Sequence, residues 1–239
     1  MTITTRPVEY TLGGKTFEGM LAIDSTQDGP RPVVLVAHQW SGRSDFEIDV
    51  TKKLAGLGYA GFAIDLYGKG ILGKNKEENT KLLTPFMQDR AMLQTRMNAS
   101  LETALAQPET NPNKAAAIGY CFGGLSVLDL ARMGAKVEGV VSFHGLFHPP
   151  GNCEGKKITA KILALHGWDD PMAKPEDAVA LAAELSKAGA DWQLHAYGNT
   201  LHAFTHPNAN DPENGTQFDA SADRRSWTAC TEFLAETLR

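Results

Sequence analysis

The run Gly119-Tyr120-Cys121-Phe122-Gly123-Gly124 narrows what this chain can fold into more than any other stretch. A short apolar segment, Ala115-Ala116-Ala117-Ile118, leads into it, and residues 125–133 follow with helical periodicity. Strand, sharp turn and helix in that order form the setting of a nucleophile elbow, where one side chain is held at the tip of a strained turn. The flanking glycines remove the Cβ atoms that would clash there. The residue at the tip is Cys121, at a helix start, where exposed N–H groups and the helix dipole favour a thiolate. These residues imply a hydrolase with a cysteine nucleophile.

The rest of the chain fits an α/β fold around that turn. Its 239 residues can bury a large core. No repeat, low-complexity tract or linker divides them, so residues 1–239 are expected to form one domain. Residues 8–12 and 17–23 around Gly13-Gly14 suggest a hairpin. Continuous apolar runs at 33–37, 60–64, 139–143 and 162–165 suggest strands covered on both faces. Residues 192–196 alternate as a further strand. Helices are expected over 46–57, 175–188 and 222–238. A long helix over 86–106 is expected to open at Pro85. Residues 69–84 read as a loop or cap, and 199–221 as a long polar loop. Strands alternating with helices imply a mainly parallel sheet, with its site beyond the carboxyl ends of the strands.

Composition mostly excludes. The chain carries 23 Lys+Arg against 28 Asp+Glu, a formal net charge of −5, and no basic cluster, which argues against nucleic acid or an anionic membrane as partner. It has no transmembrane run, and its first ten residues lack the layout of a signal peptide. Three cysteines do not make a disulfide framework. The expected location is therefore the reducing cytoplasm. The number of subunits stays open.

A thiol nucleophile needs a base, and the base needs an orienting acid. In elbow hydrolases the chain order is nucleophile, acid, histidine. Residues 162–165 run into His166-Gly167-Trp168-Asp169-Asp170-Pro171. Asp170 fits the spacing His-Gly-x-x-Asp and is preferred over Asp169, which reads as a turn residue. His202 follows the last strand, in Gly198-Asn199-Thr200-Leu201-His202-Ala203-Phe204. The oxyanion is expected to meet the backbone N–H groups of Phe122 and of Trp40, the latter in His38-Gln39-Trp40-Ser41-Gly42.

Other candidates have plainer readings. Cys153 and Cys230 read as small apolar fillers. His144 and His148 are four apart, but Gly145 intervenes and Pro149-Pro150 follows, so they do not share a helix face and no metal site is expected. His38 and His166, at strand ends, are expected to bond backbone, and His195 to sit half-buried in a strand. Trp40, Phe122, Trp168 and Phe204 serve as packing or as the apolar wall of a pocket.

With these motifs in place, the chain resembles the dienelactone hydrolase family (carboxymethylenebutenolidases) of the α/β-hydrolase superfamily. The resemblance rests on the elbow at 119–124, on Asp65-Leu66-Tyr67-Gly68, on His166-Gly167-Trp168-Asp169-Asp170-Pro171 and on His202-Ala203-Phe204, and it extends from about Tyr10 to the end. It implies an α/β-hydrolase fold, with about eight strands in a mainly parallel sheet and helices on both faces. It also implies hydrolysis of an enol-lactone or related ester through a thiolate acyl-enzyme, without a cofactor. Cys121, Asp170 and His202 match the family's triad.

Two positions depart from the pattern. Gln39 stands where the best-known members have Glu, and an amide cannot take a proton, so activating the thiol falls to His202. His206 stands where dienelactone-cleaving members have an arginine for the substrate carboxylate, and neutral imidazole is a poor substitute for that fork. Arg90 or Arg96 could supply positive charge, and His144 could reach the pocket. The departures keep two alternatives open beside the dienelactone-like reading. One is a broad esterase for small uncharged acyl esters; the other is a non-catalytic or thiol-redox member of the fold.

Overall fold

The structure is a computed structural model and describes residues 1–238. Its main sheet has eight strands in the order β1-β2-β4-β3-β5-β6-β7-β8. The chain divides into two compact units, Met1–Ile118 and Gly119 onward, with β5 (Thr110–Tyr120) running across the division.

In the first unit, β1 (Ile3–Leu12) and β2 (Lys15–Asp24) form the expected antiparallel hairpin around Gly13-Gly14. β2 also pairs antiparallel with β4 (Ala60–Ala63), and β3 (Arg31–Ala37) runs parallel to β4. Val33 to Ala37 and all of β4 are buried, as unbroken apolar runs require. Helix α1 (Asp45–Gly56) starts at a capping box: Ser44 accepts from the Phe46 N–H, and Glu47 accepts from the Ser44 N–H at 2.8 Å. It packs on β2, β3 and β4.

The segment after β4 departs from expectation. Residues 76–84 are not loop but the body of α2 (Lys76–Gln88), and Pro85 lies inside that helix instead of opening the next one. Asn75 caps α2 by accepting from the Glu78 N–H at 3.0 Å, and Glu77 and Glu78 favour the positive end of the dipole. Pro85 removes only the bond to the Lys81 carbonyl, late in the helix. Asp89 then accepts from the Met92 N–H at 2.9 Å and starts α3 (Arg90–Leu105) as a separate helix.

In the second unit, the end of β5 leads into α4 (Phe122–Arg132), whose residues are all buried. β6 (Gly139–Phe143), β7 (Lys161–Gly167) and β8 (Trp192–Tyr197) pair in parallel. Helix α5 (Pro175–Lys187) packs on β8, α4 on β6, and α6 (Ala220–Thr237) on β6 and β7. The expected polar loop at 199–221 holds a small antiparallel ribbon: β9 (Asn210–Asp211) pairs with β10 (Thr216–Gln217) around a 3-10 turn at Pro212–Asn214. Among the described residues, no helix is long and apolar enough to cross a membrane.

Candidate active site

Cys121 sits between β5 and α4 with φ 56° and ψ −113°, a left-handed conformation strained for a residue with a Cβ. Its N–H donates to the Phe143 carbonyl at 3.0 Å, which ties the turn to the end of β6. Two glycines make the turn possible. A Cβ on Gly119 would lie 2.1 Å from the Gly123 carbonyl oxygen, and one on Gly124 would lie 2.7 Å from the Gly145 Cα. The half-buried thiol thus stands at the start of α4, where the first backbone N–H groups have no intrahelical acceptor.

Asp170 lies just beyond β7 and is 1% exposed. Its Oδ1 accepts from the Met172 N–H at 2.8 Å and the Ala173 N–H at 3.3 Å. Its Oδ2 bonds the Nδ1 of His202 at 2.7 Å. Asp169 is exposed, and its N–H donates to the Thr200 carbonyl. Of the two neighbouring aspartates, the structure therefore brings Asp170 to the histidine.

His202 is held by backbone bonds on both sides. Its N–H donates to the Gly215 carbonyl at 3.0 Å, and its carbonyl accepts from the Gln217 N–H at 3.1 Å, so the ribbon clasps it. Ala203 follows with φ 58°, which turns the chain sharply. The other ring nitrogen, Nε2, is buried and has no hydrogen-bond partner of good geometry among the described residues, and the Cys121 side chain acts on this imidazole electrostatically. Burial opposes a charge on this imidazole. The negative charge at Cys121 and the bond to Asp170 outweigh burial and push its pKa up to about 10. The arrangement favours the charged form of His202.

Five more histidines lie in this unit: His144, His148, His166, His195 and His206. His144, at the end of β6, is wholly buried with φ 36°. Its Nε2 pairs with the Thr205 hydroxyl at 2.8 Å, and its ring meets that of His202 at 5.0 Å. Burial, and then the charge of His202, hold its pKa well below the ordinary imidazole value. His166 does not bond backbone as expected: it is fully buried and, among the described residues, neither ring nitrogen has a partner, its ring lying 5.2 Å from that of Phe147. His206 is half-buried, and its Nδ1 accepts from the Asn208 N–H at 3.3 Å. Phe204 is wholly buried, its ring packed against those of His144 and Tyr197.

The candidates in the first unit have their own setting. Gln39 is buried, and its N–H donates to Glu47 at 3.3 Å. His38 does bond backbone, linking the Gln39 carbonyl (2.6 Å) to the Leu66 N–H (3.2 Å). The Trp40 carbonyl accepts from the Tyr67 hydroxyl at 2.9 Å, and among the described residues the Trp40 N–H bonds no protein atom. Arg90 is the buried first residue of α3. Arg96 is spent on the Leu66 carbonyl and on the rings of Phe17 and Phe86.

A cavity of about 930 Å³ opens at the far end of α4, among Arg132, Phe147, Ile158, Leu181 and Glu184. No triad residue lines it. Among the described residues, no three His, Cys, Asp or Glu side chains gather as a metal site would need. The ribbon around His202 and the hydroxyl of Thr205 were not legible in the sequence. The backbone clasp uses groups that every residue carries, and Thr205 lies 61 residues from the ring it bonds.

This fold and site define a carboxylic ester hydrolase of the α/β-hydrolase fold. The model of the dienelactone hydrolase family matches residues 17–238, so the chain belongs to that family. It is 36% identical to the dienelactone hydrolase-like promiscuous phosphotriesterase P91 from metagenomic libraries, with a TM-score of 0.94 and 99% of each chain covered. A second solved structure, m3DLH, is 35% identical with the same TM-score of 0.94 and the same coverage. A putative carboxymethylenebutenolidase of Aquifex aeolicus is 26% identical over 97% of this chain and 98% of that protein.

Proposed function

We propose that the protein hydrolyses a small ester or lactone through a thioester on Cys121. Cys121 gives its proton to His202, and its sulfur attacks the carbonyl carbon while the C=O pair moves onto oxygen. The oxyanion collapses, the C–O bond to the leaving group breaks, and imidazolium His202 returns the proton to the departing oxygen. Water, deprotonated by His202, then attacks the thioester and releases the acid and the thiol. Asp170 keeps His202 oriented and stabilises its charge. The Phe122 N–H is the proposed oxyanion donor at the start of α4.

The observation that carries the reading is the chain of contacts at His202: Asp170 at 2.7 Å on one nitrogen and the charge of Cys121 beside the other. Gln39 and His206, in place of Glu and Arg, favour an uncharged acyl ester over a carboxylate-bearing dienelactone. Three free cysteines suit a reducing, cytoplasmic setting. The test is intact-protein mass spectrometry with a panel of activated esters and lactones, alongside product release. The parent acquires one acyl group on Cys121 and turns over, and Cys121→Ala does neither. Turnover by Cys121→Ala overturns the proposal.

A second substrate class follows from the likeness to P91, described as a promiscuous phosphotriesterase. The same thiolate would attack phosphorus and expel an aryloxide. Paraoxon turnover lost in Cys121→Ala supports this class, and turnover equal to the buffer rate removes it.

A further inference from the structure

Three backbone and side-chain bonds meet at the dipeptide Phe143-His144, where β6 ends. The Phe143 carbonyl accepts the Cys121 N–H at 3.0 Å, and the His144 N–H donates to the Leu165 carbonyl at 2.8 Å. Leu165 lies on β7, the strand that runs toward Asp170. The His144 side chain bonds Thr205, three residues beyond His202, at 2.8 Å. Nucleophile, acid strand and base loop are thus referenced to one point. His144 accepts a left-handed backbone, φ 36°, to stand there. Such strain persists only where the surroundings over-determine it, and it collects at functional sites.

The His202 ring needs such a reference. Among the described residues, its one ring hydrogen bond of good geometry is to Asp170. A ring held at one nitrogen can still pivot about that bond, which would swing Nε2 away from sulfur. The His144 ring closes this freedom by meeting the His202 ring edge-on, with centroids 5.0 Å apart at 67°. The bond to Thr205, with the packed rings of Tyr120 and Phe204, restrains the His144 ring in turn. His144 is wholly buried, so it does this without touching substrate.

We infer that His144 is a positioning residue: with Thr205 it fixes the plane of the His202 imidazole and ties the base loop to the strand end that holds the nucleophile. The inference rests on the triad reading above. The groups that face His144 suit the role. The Tyr120 and Phe204 rings pack it at 6.0 and 5.1 Å, and burial, then the charge of its titratable neighbours His202 and His206, keeps it neutral. A neutral ring does not compete with the charged form of His202 for Asp170.

The experiment compares Thr205→Val, Thr205→Ser, His144→Phe and the double variant Thr205→Val/His144→Phe, using an ester that acylates Cys121 in the parent. Each variant is read for kcat, KM, acylation by mass and melting temperature. Losing the bond is expected to lower kcat about tenfold with KM changed less than about twofold, the rate equivalent of one lost hydrogen bond in the transition state. Thr205→Ser, which keeps the hydroxyl, restores kcat, and the double variant is no slower than either single one.

Parental kcat in Thr205→Val overturns the inference. So does a rise in KM alone, which would make His144 a pocket wall, or a loss that follows melting temperature and is not rescued by Ser. Should Thr205→Val fail to fold, His144→Gln against His144→Phe decides: a faster Gln variant supports the role and equal rates overturn it. A parent without a Cys121 adduct overturns the triad reading itself, whereas an acylated parent with unaffected variants overturns only the role of His144.

Discussion

Replacing Asp170 by Asn removes one charge and almost no volume at a residue 1% exposed. Oδ1 now accepts two backbone N–H groups, from Met172 and Ala173, while Oδ2 faces the Nδ1 of His202. An amide has one acceptor and one donor end. If its oxygen stays on the two N–H groups, its NH₂ faces Nδ1 and forces the neutral imidazole to carry its proton on Nε2. That is the nitrogen that must take the proton of Cys121. If the amide turns over, its NH₂ faces two buried N–H donors. In either case a charge-assisted bond of about 2 kcal/mol is lost, and an amide N–H buried without an acceptor costs about 2 kcal/mol more. The sum of about 4 kcal/mol corresponds to about a thousandfold in rate. Hydrolysis of a 4-nitrophenyl ester measures kcat, and the expected ratio of parent to Asp170→Asn is of that order. The sign for protonation follows from the same bond. Since Asp170 helps raise the His202 pKa to about 10, the variant should titrate lower by NMR, and less imidazolium should remain at mildly alkaline pH. A folded Asp170→Asn within tenfold of parental kcat would refute the assignment of the orienting acid.

Other predictions test the framework around the triad. Gly119→Ala puts a Cβ 2.1 Å from a backbone oxygen that cannot move aside, so the variant should lose at least about 3 kcal/mol in urea unfolding; a parental midpoint would disprove the clash. Glu184→Gln breaks the paired bonds, 2.8 and 2.6 Å, to the buried guanidinium of Arg132 at the far end of α4. It should lower the melting temperature by about 5 °C, as expected for about 2 kcal/mol in a chain of this size, and leave kcat unchanged. Burial raises the Cys230 thiol above its ordinary range, so native alkylation should label Cys121 first and Cys230 only after unfolding; peptide mapping gives the order.

The sequence was most legible where chemistry leaves few choices. A thiol at the tip of a strand–helix turn needs glycines beside it, and the structure places Gly119 and Gly124 where no Cβ fits. The parallel strands announced themselves because both faces are buried and apolar runs result. Reading failed where one residue has two meanings. Pro85 looks like the first residue of a helix and is instead a late residue of α2. The true starts, Asn75 and Asp89, act through side-chain caps inside polar stretches where such residues are common. His166 shows the same limit at atomic scale. Its strand-end position suggests a backbone bond, but its ring points among Phe147 and Trp168 and finds none.

The site divides along the same line. The side chains that would exchange protons could be ordered from the sequence as Cys121, Asp170, His202. What holds them is largely backbone: the Phe143 carbonyl under Cys121, two N–H groups on Asp170, and the Gly215 and Gln217 groups around His202. Backbone groups place few demands on residue type, so no motif marks them. Gly215 is the exception that explains the pattern. It has φ 82°, its carbonyl holds the His202 N–H, and a Cβ there would lie 2.1 Å from Pro171, the residue after the acid. Where the clasp on the base meets the loop of the acid, the backbone has no room for a side chain, and there, as at Gly119 and Gly124, the support leaves a mark in the sequence.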